Sequence, residues 1–221
     1  MCVECTRVKR GNFLMEEVIQ NNKIIKPPRK KKKIIIISII IAILITAGGI
    51  YSWLKYQKVQ EEKYAKIQAE TIVDMHIQFL LATIIVGTYS NVWDRAIDNG
   101  NDFNIALTNF KEGLKDKGTL GDLEKKQDEI RDNMKLLQNP PKEYMESYIV
   151  LKETYGTYTK MMEQALSPSG SLLEFNRKTN DLYSNFEEQM ERLEITLPAD
   201  VKKIKKKFEK EKKTDENKDS L

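Results

Sequence analysis

The most constraining feature of this chain is one uncharged apolar segment, residues 34–54, which runs IIIISIIIAILITAGGIYSWL. It is 21 residues long and contains ten isoleucines. A helix of that length extends about 31 Å, which matches the hydrocarbon core of a bilayer. Inside lipid, a lone segment satisfies its backbone polar groups only as a helix. The sequence therefore predicts a single transmembrane helix that begins at Ile34 and ends at Leu54. Ile41 and Ile45 lie in its middle.

The predicted topology rests on the cluster of cations directly before the span: Arg29, Lys30, Lys31, Lys32 and Lys33. By the positive-inside rule, this cluster keeps residues 1–33 in the cytoplasm and places residues 55–221 outside. A cleaved signal peptide is the alternative, with Ala47-Gly48-Gly49 as small-residue cleavage site. Against this alternative, the region before the apolar run would be unusually long for a signal peptide, and the apolar run continues past the cleavage site to Leu54. We therefore predict a single-pass protein of the cell membrane with an extracytoplasmic C-terminal domain.

The net charge of +4 is distributed unevenly along the chain. Residues 1–33 hold 10 Lys and Arg against 3 acids, whereas residues 55–221 hold 27 against 30. The basic excess is therefore expected at the anionic inner leaflet, so the lipid bilayer is the predicted partner and nucleic acid is not. The frequent use of Ile, Lys and Asn suggests a bacterial protein.

The chain has two cysteines, Cys2 and Cys5, both before the span. A C-x2-C pair is half of a tetrahedral zinc site. The sole histidine, His76, is predicted on the other side of the membrane, so a complete site would need both cysteines from two chains. The small residues Ser38, Ala42 and Thr46 recur every four positions and would permit such a homodimer through the span. The alternatives are a plain anchor and a reduced, metal-free thiol pair; no other cofactor is expected.

The part after the span is helical in pattern. We predict a helical stalk over residues 55–63, the bundle over residues 64–197 and a lysine-rich tail over residues 198–221. The predicted fold class is all-α: a single transmembrane helix followed by an extracytoplasmic antiparallel four-helix-type bundle. Within it, the run FLLATIIV beginning at Phe79 is apolar nearly all round, which is typical of a central helix. Phe79 and Leu81 are therefore both expected in the core.

Turn residues separate the predicted helices. Asn99 and Gly100 supply the positive φ that ends one helix, and Asp102 caps the next. Residues 139–141 (NPP) end a later helix. After the turn SPSGS, Ser171 has capping-box spacing for the last helix of the bundle.

One predicted helix carries a seam with alternating spacings of four and three, which is a heptad pattern. The seam positions are Tyr144, Tyr148, Leu151, Tyr155, Tyr158, Met162 and Ala165. Core packing is the favoured interpretation, and a tyrosine-lined groove is the alternative.

The lysine-rich tail holds nine lysines against five acids between residues 202 and 221, with Val201, Ile204 and Phe208 on one face. We predict a solvated, fraying tail. The alternative is electrostatic contact with an anionic envelope polymer or lipid headgroups.

The sequence contains no H-E-x-x-H, P-loop or Glu-x-x-His motif, so we expect no enzyme. The predicted function is a membrane-anchored, non-catalytic binding or interaction module of the bacterial cell envelope, with an unknown envelope protein or ligand as partner. The alternative is a single-span sensor whose cytoplasmic C-x2-C tail contacts a partner or metal.

Overall fold

A computed structural model of the chain describes residues 29–219, with the side chains of residues 36–212 and of Thr214. These residues form six α-helices and one 3₁₀ turn: α1 (Arg29–Asp98), α2 (Phe103–Asp116), α3 (Thr119–Leu136), the turn Lys142–Tyr144, α4 (Met145–Leu166), α5 (Leu172–Thr196) and α6 (Ala199–Asp219). No β-strand occurs among the described residues, so the predicted all-α class is confirmed. The chain divides into two compact units, Met1–Leu54 and Lys55–Leu221.

In the first unit, the apolar segment is helical, and its side chains are exposed throughout the described part. Among the positions singled out by sequence, Ile41, Ile45 and Leu54 are all more than half exposed. The hydroxyl of Thr46 donates to the carbonyl of Ala42 at 3.0 Å, so this polar group is satisfied inside the helix. By length and composition, one helix of the described chain is capable of crossing a membrane, and it is this one.

In the second unit, α5 runs antiparallel to α1. The ring of Phe79 stacks on that of Phe186 with centroids 3.6 Å apart, and farther along α1 the ring of Trp93 lies 5.8 Å from that of Phe175. Between them, the hydroxyl of Ser90 donates to Asn176 Oδ1 at 2.5 Å. These contacts fix the direction of α5 because residue numbers rise along α1 as they fall along α5.

The start of α4 lies beside the first buried turn of α1. Tyr64 is the first buried side chain after the apolar segment, and its hydroxyl donates to the carbonyl of Leu137, just beyond α3, at 3.2 Å. One turn on, Gln68 Nε2 donates to Ser147 Oγ at 2.9 Å. The end of α3 and the start of α4 therefore meet at the same level of α1.

The predicted turn chemistry is confirmed. Gly100 has φ 66°, and the Asp102 carboxylate accepts from the backbone N–H groups of Asn104 and Ile105 at 2.8 and 3.3 Å. Ser171 likewise accepts from the N–H of Glu174 at 3.3 Å at the start of α5.

The heptad seam of α4 packs into the core, as predicted. Five of its seven positions are buried: Tyr144, Leu151, Tyr158, Met162 and Ala165. The other two, Tyr148 and Tyr155, are partly buried and pack against the same core. The prediction that the heptad seam packs into the core is therefore confirmed.

The prediction of a solvated tail after Pro198 is wrong for the first part of α6. Val201 is completely buried in the core, and Ile204 and Phe208 pack against it. Lys205 Nζ lies 2.7 Å from the Glu194 carboxylate of α5, which joins the two helices. The compact part therefore extends beyond Pro198, because an apolar stripe with spacings of three and four outweighs the high lysine content.

Candidate interaction surface

The candidate site is a face of α1 that the rest of the second unit leaves uncovered. Its four apolar residues, here called the α1 face, are Ile77, Leu80, Leu81 and Ile84. Leu80, Leu81 and Ile84 are 40%, 45% and 65% exposed, and Ile77 is partly exposed. Their spacings of three, one and three residues place them side by side on one helical surface.

The opposite face of the same turns is fully buried. Phe79, Ala82 and Val86 have no exposed surface. The apolar run FLLATIIV was expected to be central on all sides, and that prediction is wrong for half of it. The expectation for Phe79 is confirmed, and the expectation for Leu81 is corrected.

Two grooves flank the α1 face. The α6 groove, of about 450 Å³, lies between α1 and α6, and its α6 wall is formed by Lys205, Glu209 and Lys212. The α3 groove, of about 580 Å³, lies between α1 and α3. Leu81 and Ile84 line both grooves, so they form a ridge between them.

Ion pairs hold the α6 wall in place. Lys205 Nζ lies 2.7 Å from Glu194 and 3.3 Å from Glu209, and Lys212 Nζ lies 3.1 Å from Asp74 of α1. Burial lowers the pKa of Lys205, but the hydrogen bond to Glu194 and the charge of Glu209 outweigh it, so that pKa is raised. The wall is therefore a charged edge beside an apolar floor.

The α3 wall carries Asp122, Lys125 and Lys126. Lys126 Nζ pairs with Glu129 at 2.6 Å, and this hydrogen bond raises the pKa of Lys126. Lys125 is exposed, and no ion pair joins it to another described side chain. Four lysines line the two grooves. Three of them are paired with carboxylates, so Lys125 alone among these described groove lysines has no ion pair.

The α1 face belongs to the second unit and includes none of the cations singled out for the topology. The cations Arg29 to Lys33 lie in the first turns of α1, in the first unit. Cys2 and Cys5 lie outside the described residues, so the zinc hypothesis stays a prediction. Among the described residues, no three His, Cys, Asp or Glu side chains converge as a metal site would require.

His76 lines the α6 groove, and its ring centroid is 6.1 Å from that of Phe186. It is partly buried. The groove linings offer hydrocarbon, ammonium, carboxylate and this one imidazole, together with the amide of Gln78 and the hydroxyl of Thr119. Their chemistry is suited to binding an apolar surface with charged edges.

Sequence reasoning missed Leu80, Leu81 and Ile84 as surface residues. The available signal was the run of apolar residues on every side of α1, which shows that the whole circumference prefers an apolar environment. It does not show which side the chain's own helices cover.

The fold and this surface define an all-α protein with one candidate membrane span and an exposed apolar helix face. No protein-family model, curated protein or solved structure matches the chain.

Proposed function

We propose that this chain is a membrane-anchored protein of the bacterial cell envelope whose extracytoplasmic helical bundle is a non-catalytic interaction module. The α1 face is its binding surface. The anchor is the apolar segment of α1, and the bundle is built from the second part of α1 with α3, α4 and α5, supplemented by α2 and α6.

The observation that carries the proposal is the exposure of Leu80, Leu81 and Ile84 next to one another. Scattered apolar side chains are normal on protein surfaces, whereas a contiguous group with a charged rim is typical of an interaction site. Exposing this group to water has a cost that a bound partner would remove.

The orientation rests on the basic cluster Arg29 to Lys33. It favours a cytoplasmic N-terminus and places the bundle outside the cytoplasm. In that arrangement the α1 face would meet envelope proteins or ligands, and the bilayer would keep the module at the membrane.

The test is photo-crosslinking of the full-length chain in cells, with a photoreactive side chain at Ile84. The matched control is the same side chain at Leu173 on α5, which is 83% exposed and lies outside both grooves. We expect a discrete cross-linked product from position 84 that decreases strongly when Leu81→Ser is introduced. Equal products from positions 84 and 173, or a product unaffected by Leu81→Ser, would contradict the proposal.

A further inference from the structure

We propose that the occupant of the α1 face is an amphipathic helix of another protein, whose apolar stripe is bordered by Asp and Glu. This inference rests on the proposed function and specifies its partner.

The shape of the surface fits a helix. The face spans eight residues from Ile77 to Ile84, or about 10 Å along the helix axis, and a helix with side chains is about 10–12 Å wide. The ridge of Leu81 and Ile84 stands between two grooves, and a helix laid over it places side chains on both sides, as in ridges-into-grooves packing. A single acyl chain would fill one groove and leave the ridge exposed.

The approach along α1 stays open beyond the ridge. Gly87 lies one turn after Ile84, and a Cβ placed there would have no atom within 4 Å. A docked helix can therefore continue past Ile84 at close distance to the α1 backbone.

The chain's own α6 does not supply the missing cover. Its apolar stripe, Val201, Ile204 and Phe208, would continue at positions 211, 212 and 215. These are Glu211, Lys212 and Asp215. Among the described side chains, the stripe therefore ends before it reaches Leu80 to Ile84, and no other described segment covers these residues.

The charge of α6 and of Lys125 favours an acidic partner. Lys125 beside the α3 groove has no ion pair to another described side chain, and α6 between residues 199 and 212 holds seven lysines against three acids. On the outer side of α6, Lys203, Lys206, Lys207 and Lys210 are exposed. Complementary charge favours encounter with an acidic helix and disfavours a basic one.

A second copy of this chain is a poorer occupant. In a two-fold symmetric dimer the same face meets itself, so the lysine-bearing walls of both copies would be brought together. Like charges facing each other at the rim would oppose that contact.

The experiment measures peptide binding to the full-length chain in nanodiscs of zwitterionic lipid, with empty nanodiscs as the blank. Two synthetic helical peptides share one apolar stripe at i, i+3, i+4 and i+7, and their flanking positions are all Glu or all Lys. We expect the Glu-flanked peptide to bind about tenfold more tightly at low salt, which corresponds to about 1.4 kcal/mol.

Lys125→Glu should lower that preference several-fold, because Lys125 has no ion pair to other described side chains to disturb. The matched control is Lys160→Glu on α4, an exposed lysine outside both grooves, which should leave the preference unchanged. The double variant Leu81→Ser, Ile84→Ser should abolish binding of both peptides. The two residues are 45% and 65% exposed, so we expect the variant to fold, and far-ultraviolet circular dichroism checks this.

The proposal is overturned by equal or preferred binding of the Lys-flanked peptide, or by binding that survives the double variant. Cross-links from position 84 that join two copies of this chain, or that reach lipid, also overturn it. If position 84 cross-links another protein but the Glu-flanked peptide binds no more tightly than the Lys-flanked one, the acidic-helix inference fails and the interaction module stands. If both cross-linking and peptide binding are absent, both proposals fail.

Discussion

Two alanine substitutions within one turn of α1 separate its core from its exposed face. Phe79 has no exposed surface and stacks on Phe186, whereas Leu81 is 45% exposed on the ridge between the grooves. The two residues are two positions apart in one helix, so they lie at nearly the same distance from its ends. The pair therefore contrasts a buried position with a partly exposed one at the same level of α1.

Their expected effects differ severalfold. Phe79→Ala removes a buried ring and leaves an enclosed cavity, which costs about 3–5 kcal/mol. Leu81→Ala removes about half of the ~1.5–3 kcal/mol that full burial of a leucine contributes, and it opens no enclosed cavity because the groove is open to water. We expect about 1 kcal/mol for Leu81→Ala. For a domain of this size, the melting temperature should fall by about 6–20 °C for Phe79→Ala and by about 2–4 °C for Leu81→Ala.

The assay is thermal unfolding of the full-length chain in zwitterionic micelles, followed by far-ultraviolet circular dichroism. Val86→Ala serves as a second core variant, since Val86 is also completely buried. A melting temperature that falls as much for Leu81→Ala as for Phe79→Ala would show that Leu81 lies in the core. That result would refute the α1 face and the binding proposed for it.

Three further predictions concern other parts of the chain. A reporter that is active only outside the cytoplasm should work when fused after Leu221 and fail when fused before Met1, and the opposite pattern would refute the orientation. Burial raises the pKa of Tyr158 above its ordinary 10.0, so the unfolded chain ionises it first; stability should persist below about pH 10 and decrease above it, as measured by the melting temperature across that pH range. Purified full-length protein should contain about half a zinc ion per chain if Cys2 and Cys5 of two chains form a site, and Cys2→Ser should remove it; metal-free wild-type protein with freely alkylated thiols would refute the site.

The local features of the fold were predictable because their causes lie within a few residues. Gly100 and Asp102 end one helix and begin the next through a positive φ and a side-chain cap, and both signals are present in the sequence itself. The buried seam of α4 was predictable for the same reason, since helical spacing alone places Leu151 and Tyr158 on one side. Such features do not depend on what other helices do.

The packing of α6 was not predicted because composition and pattern gave opposite indications. Nine lysines favoured a solvated tail, whereas the spacing of Val201, Ile204 and Phe208 favoured a packed helix. Lysine can keep its hydrocarbon stem against a protein surface while its ammonium reaches a partner or water. Lys205 does so, with a side chain only 15% exposed and two carboxylates within 3.3 Å. The stripe therefore decides the structure, and four of the other six lysines whose side chains are described in α6 are exposed.

The α1 face could not be predicted because sequence does not specify which side of a helix is covered. The run from Phe79 to Val86 has an apolar preference on every side, and a helix of this kind is stable when something apolar surrounds it. In this chain α5 covers Phe79, and the apolar stripe of α6 ends at Phe208, before the level of Ile84. The same leucines and isoleucines that predicted a core helix would therefore serve as a binding surface, since the half of α1 that the chain leaves uncovered has the composition of its buried half.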